Sequence, residues 1–113
     1  MEMIRATTIT RKEQPEAPLY MLELGESRVY LSVFTAGELE QAAGLERQIW
    51  SLKQGEHRDL EAELQRQAFE LIVASASRGN PNRDPRPDLE RMVAAARFTA
   101  LWKLVRQTAG RAK

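Results

Sequence analysis

The stretch RVYLSVFTAGELEQ, Arg28–Gln41, decides the fold, because the spacing of its apolar residues changes partway along it. In its first half, alternate residues place apolar side chains on one face, as in a strand: Val29, Leu31 and Val33. In its second half, Thr35 can accept a hydrogen bond from a free helix amide, and Glu38 can bond back to the Thr35 amide as a capping box. The stretch therefore predicts a strand that gives way to a helix at residue 35.

The chain before this stretch predicts further strands. IRATTITR, residues 4–11, is rich in β-branched residues and is followed by the polar, proline-marked segment KEQPEAP. PLYMLEL, residues 18–24, is joined to RVYLSVF by a tight turn at residues 25–27. We therefore expect residues 1–34 to form an antiparallel β-hairpin or a three-stranded meander.

The chain after this stretch predicts three helices, because apolar residues recur at helical spacing. Their predicted bounds are 35–54, about 56–78 and about 88–109, with a loop at 79–87. The loop has the composition of a connection: Arg78 and Gly79 suit a helix C-terminus with a left-handed glycine, and Asp84 precedes a proline that can open the next helix. The prediction is one α+β domain spanning 1–113, in which the three helices form a small bundle and one packs on the sheet.

Composition excludes several classes of function. A length of 113 residues suits a single domain, and 17 Lys and Arg against 16 Asp and Glu leave no overall field to attract polyanions or anionic membranes. The absence of cysteine excludes disulfides, thiolate zinc sites and thiol nucleophiles. No apolar run approaches the roughly 18 residues of a membrane span, and the N-terminus lacks the apolar region of a signal peptide. We expect a soluble, unexported, cytoplasmic protein without membrane partners.

No catalytic or metal site is predicted. His57 is the single histidine and lies in a polar segment that resembles a solvated helix start. The glycines are scattered and form no phosphate-binding loop, and neighbouring carboxylates such as Glu61 and Glu63 do not share a helix face. We therefore expect a non-enzymatic protein without cofactor or metal.

The third predicted helix carries more apolar surface than one packing layer requires. Two interpretations stay open: the helix is central to a small core, or part of its surface is an exposed patch for another protein, and the two can coexist. The candidate partner-binding residues, including one from the first helix, are Trp50, Phe98, Leu101, Trp102 and Val105.

Two segments together resemble a known family. The first is FTAGELE, which opens the first helix. The second is LIVASASRGNPNRDPRPDLERMVAAARFTALWKLVRQTAG. It contains a helix, a loop with Asn-Pro, an acidic residue at the start of the next helix, and apolar residues that end this helix before a glycine. This order of elements, from about Tyr30 to Gly110, resembles the small tail assembly chaperones of long-tailed bacteriophages. The resemblance implies a non-catalytic protein that binds the tape measure protein in the host cytoplasm during virion assembly. It also implies that the protein keeps this client soluble, helps bring tail tube subunits to it, and self-associates.

Two alternatives remain at the level of the sequence. A nucleic-acid-binding regulator would use the arginines of the loop and its flanks on phosphates: Arg78, Arg83, Arg86 and Arg91. The predicted loop at 79–87 is, however, longer than the turn of a helix-turn-helix. A host-directed inhibitor encoded by a phage or mobile element would have the same composition and a host protein as its partner.

Overall fold

The computed structural model describes residues 3–52 and 58–111, without the side chain of residue 50. Within these residues, three strands precede four helices. The elements are β1 (Arg5–Ile9), β2 (Leu19–Leu24), β3 (Ser27–Ser32), α1 (Ala36–Ser51), α2 (Arg58–Gly79), α3 (Arg86–Ala96) and α4 (Phe98–Gln107). The predicted α+β fold is confirmed. The prediction of three helices is wrong, because the helix expected at 88–109 is two separate helices, α3 and α4.

The sheet is an antiparallel meander with strand order β1-β2-β3. The β2–β3 hairpin pairs Leu24 with Ser27 across a two-residue turn, and Gly25 in this turn has a φ of 59°, a left-handed value that costs glycine little. In the second pair of strands, Thr7 of β1 lies opposite Met21 of β2. The expected three-stranded meander is therefore the arrangement present.

One face of the sheet carries the core and the other does not. The strand residues buried among the helices are Leu22, Leu24, Val29 and Leu31. They pack with buried residues of every helix, including Ala42 of α1, Ile72 of α2, Leu89 of α3 and Leu101 of α4. The side chains that alternate with the core residues, such as Met21 and Tyr30, lie outside the core cluster. The core therefore lies between one face of the sheet and the helices, of which α2 and α3 contact β3 directly.

Helix α1 begins where the capping box predicted. The Glu38 amide donates to Thr35 Oγ1 at 3.1 Å, and the Thr35 amide donates to Glu38 Oε1 at 2.9 Å. These two bonds satisfy amides that have no partner within the helix. The helix ends at Ser51, and residues 53 and 54 of the predicted 35–54 segment lie outside the described residues.

Helix α2 lies against β3 at its C-terminal end, and Gly79 permits the contact. A Cβ atom at residue 79 would lie 2.2 Å from the Tyr30 carbonyl oxygen, which no side chain tolerates. Gly79 does not have the positive φ predicted for a left-handed cap. The chain leaves the helix at Asn80, whose amide and side-chain Nδ2 both donate to the Ala76 carbonyl.

The break between α3 and α4 occurs at Arg97, which has φ 75° and ψ 150°. Nothing in the segment 88–109 signals a break, since it contains neither glycine nor proline. In a continuous helix of about 3.6 residues per turn, the pair Leu101 and Val105 would face roughly opposite to the pair Leu89 and Met92. All four side chains are fully buried, so the break turns α4 until both pairs enter one core.

Candidate partner-binding groove

A groove of about 370 Å³ lies among α1, α2 and α4. Its lining residues are Glu46 and Ile49 from α1, Glu61 and Gln65 from α2, and Phe98, Thr99, Trp102, Lys103, Arg106 and Gln107 from α4. Helix α4 supplies most of the wall because its two sides differ. One side carries Leu101 and Val105 into the core, and the adjacent side presents aromatic and polar residues to the groove.

An aromatic pair forms the apolar wall of the groove. Phe98 and Trp102 are four residues apart on α4 and therefore share a face. Their ring centroids are 6.0 Å apart and their planes differ by 19°, so the rings are stacked. Stacking adds an attractive interaction to the free energy gained from burial of the rings. Both side chains are half-buried, so part of each ring is available to another molecule.

Glu46 of α1 holds the aromatic pair in place. Trp102 Nε1 donates to Glu46 Oε2 at 2.9 Å, which satisfies the one polar atom of the indole. Arg106 donates from Nε and Nη2 to the two oxygens of the same carboxylate, each at 3.1 Å. The paired guanidinium and indole fix the carboxylate, and the carboxylate fixes the tryptophan ring. The groove wall is therefore formed before any partner arrives, which lowers the entropy cost of binding.

The predicted partner-binding residues separate into two groups. Leu101 and Val105 are fully buried and belong to the core, so their prediction as exposed interface residues is wrong. Phe98 and Trp102 line the groove. The side chain of Trp50 lies outside the described residues. Of the four residues predicted on α4, two line the groove and two are buried in the core.

Sequence reasoning missed Glu46, Ile49 and Arg106 as parts of this site. Glu46 is separated from Trp102 by 56 residues and from Arg106 by 60, so no local spacing connects them. The one local signal is that Glu46 lies three residues before Ile49 in the first helix and so shares a helix face with it. A glutamate at such a position is usually only a solvated surface residue.

The four arginines proposed as phosphate ligands are each paired with a carboxylate of this chain. Their partners are Glu38 for Arg78, Asp88 for both Arg83 and Arg91, and Glu70 for Arg86. The hydrogen bond from Arg86 holds the pKa of Glu70 below its ordinary value of 4.5. Three carboxylates thus offset most of the charge of these four arginines, which weakens the attraction of this surface for a phosphate.

Other kinds of site find no support in the described residues. Within 3–52 and 58–111, no cluster of three or more His, Cys, Asp or Glu side chains has the placement of a metal site. No helix in these ranges combines the length and apolar character needed to span a bilayer. His57 lies outside the described residues.

Comparison with known proteins found no matching family model, no similar curated protein and no similar solved structure.

Proposed function

We propose that this protein is a non-enzymatic assembly chaperone that holds an apolar helical segment of a client protein in the groove among α1, α2 and α4. The observation that carries the proposal is the half-exposed Phe98–Trp102 pair, held in place by Glu46 and Arg106. Tryptophan is among the residues that most often dominate the binding energy at protein interfaces.

The dimensions of the groove favour short anchors. A volume of about 370 Å³ encloses a few side chains and leaves the client backbone outside. Apolar side chains at positions i, i+3 and i+4 of a client helix would meet the aromatic wall in this way. Binding through a few anchors is reversible, which suits a protein that passes its client on.

The polar rim of the groove limits the choice of client. Glu61 and Lys103 lie on opposite helices of the groove and carry opposite charges, while Glu46 and Arg106 neutralise each other. The rim therefore has no net charge, and a client does not need a strong charge of its own in order to bind. This arrangement favours an apolar anchor over an acidic or basic peptide.

The resemblance to phage tail assembly chaperones supplies the identity of the proposed client. On this proposal the client is the tape measure protein or the tail tube protein of a long-tailed phage, and the protein acts in the host cytoplasm. The pairing of Arg78, Arg83, Arg86 and Arg91 with carboxylates makes the nucleic-acid-binding alternative less favoured.

The test is co-expression with the tape measure protein encoded by the same genome, in wild-type and Phe98→Ala forms. We expect the wild-type chain to keep the client in the soluble fraction and to co-purify with it at high salt. Phe98→Ala removes one ring of the aromatic wall, so client binding should weaken by about tenfold, as for loss of an interface anchor.

Met3→Ala is the matched control, because Met3 is an apolar side chain that is 75% exposed and does not line the groove. Circular dichroism should show both variants folded. Equal capture of the client by the wild type and by Phe98→Ala would contradict a role for the groove. A client that stays insoluble with the wild-type chain would contradict the chaperone function itself.

A further inference from the structure

The two edges of the sheet differ in how their backbone groups are satisfied. At the β3 edge, the Tyr30 amide donates to Asn80 Oδ1 at 3.3 Å, and Asn80 Nδ2 donates to the Tyr30 carbonyl at 2.8 Å. Further along this edge, Ser75 donates to the Ser32 carbonyl and Arg83 donates to the Arg28 carbonyl. Side chains therefore take the place of a neighbouring strand on this side.

The alternation of the strands shows which groups lie on the β1 edge. The backbone N–H and C=O of Tyr30 point away from β2. The backbone N–H and C=O of its partner Met21 therefore point toward β1, where they bond to Thr7. Ala6 and Thr8, on either side of Thr7, then direct their N–H and C=O groups away from the sheet. No residue that the structure describes forms a hydrogen bond with these groups.

We propose that the β1 edge is a dimer interface at which β1 pairs with β1 of a second copy in antiparallel orientation. A two-fold axis at Thr7 places Ala6 opposite Thr8 of the second copy, and the reverse, so the outward groups of both residues are satisfied. The two three-stranded sheets then form one sheet of six strands.

The sequence of β1 is self-complementary in this register. All five residues of Arg5–Ile9 overlap, Thr7 lies opposite Thr7 of the second copy, and Arg5 lies opposite Ile9. Threonine pairs are favoured across strands, and no like charges are directly opposed. Moving the axis to Thr8 would instead oppose Arg5 and Arg11 of the two copies. The strand also has no proline, one of the residues that protect an edge from pairing, and its one charged side chain, Arg5, stands at its end.

This interface is separate from the groove among α1, α2 and α4, because none of the residues that line the groove belongs to β1. Loss of client binding and loss of the dimer can therefore be observed independently. One strand pair is a small interface, so we expect a dimer that forms and dissociates with concentration.

The first test is sedimentation equilibrium of wild type, Thr8→Pro and Thr8→Val in a concentration series that reaches about 1 mM, so that a weak dimer is also detected. Proline removes the outward N–H of residue 8 without removing a bond to β2, so Thr8→Pro should stay folded and monomeric. Valine keeps the N–H and should keep the dimer. A monomeric wild type, or a dimer that persists in Thr8→Pro, would overturn the proposal.

The second test uses charge at the two-fold axis. Thr7 is exposed, so Thr7→Lys and Thr7→Glu should both fold, yet each places like charges opposite each other and should be monomeric. An equal mixture of the two should form a heterodimer, because the charges then attract. Failure of the mixture to associate more strongly than either variant alone would refute the register centred on Thr7.

Discussion

At the scale of single residues, Asn80 has the most demanding role. It is 8% exposed, and its side-chain amide bonds to both backbone groups of Tyr30 and to the Ala76 carbonyl. It therefore ends α2 and closes the β3 edge at once. An asparagine side chain can do this because its amide carries the donor and the acceptor of a backbone peptide group.

Asn80→Ala should lower the free energy of unfolding by about 2 kcal/mol, because it leaves the backbone N–H and C=O of Tyr30 without their partner and removes one of the two bonds to the Ala76 carbonyl. Asn82→Ala is the matched control, since Asn82 is exposed two residues further along the same loop and should change stability by less than about 0.5 kcal/mol. Urea unfolding of both variants measures the difference. Equal stability of the two variants would show that water replaces the Asn80 amide.

At the scale of elements, the break between α3 and α4 decides which side chains reach the core. Arg97 has backbone angles that are common only for glycine and cost other residues about 1–3 kcal/mol. The burial of Leu101 and Val105 offsets this cost, because each buried aliphatic side chain contributes about 1.5–3 kcal/mol. The strain at Arg97 is thus tolerated, because a continuous helix without this break would expose the side chains of Leu101 and Val105.

Arg97→Gly should raise the free energy of unfolding by about 1 kcal/mol, since the relief of backbone strain exceeds the greater entropy that glycine adds to the unfolded chain. Arg97→Ala keeps a Cβ atom and should leave stability within about 0.5 kcal/mol of the wild type. Thermal or urea unfolding distinguishes the two. A destabilised Arg97→Gly variant would mean that residue 97 is not strained in the folded protein.

At the scale of the whole molecule, ion pairs connect elements that are distant in the chain. Arg78 near the end of α2 donates to both oxygens of Glu38 in the first turn of α1, at 2.8 and 2.7 Å, across 40 residues. Partial burial alone would raise the pKa of Glu38. The hydrogen bonds from Arg78 and the Thr35 amide, with the charge of Arg78, bring this pKa below 4.5.

Stability should therefore fall in acid. Above pH 4.5 Glu38 is ionised in both the folded and the unfolded chain, and the full contribution of the pair is present. As the pH falls below 4.5, the unfolded chain takes up the proton first, and the contribution is lost as the pH passes through the lower folded pKa. We expect the free energy of unfolding, measured by urea between pH 7 and pH 3, to decline mainly below pH 5.

Arg78→Gln should remove part of this decline and cost about 1 kcal/mol at neutral pH, a value that allows for solvent screening of the partly exposed guanidinium. Arg47→Gln makes the same change of charge at an exposed residue that forms no ion pair with the described residues. It should keep the acid sensitivity of the wild type. Parallel pH profiles for wild type and Arg78→Gln would exclude the Arg78–Glu38 pair as a source of the acid response.

The sequence by itself determined the order of strands and helices, the β2–β3 turn and the capping box at Thr35. These features depend on residues within about four positions of each other, where spacing and capping act. Only the tertiary structure decided that α3 and α4 are separate, that Leu101 and Val105 are buried while Phe98 and Trp102 face a groove, and that the loop arginines are paired. Those outcomes depend on contacts such as Trp102 with Glu46 and Asn80 with Tyr30, across 56 and 50 residues. Local patterns carry no information about such contacts, because the competition for core space is settled only when the whole chain packs.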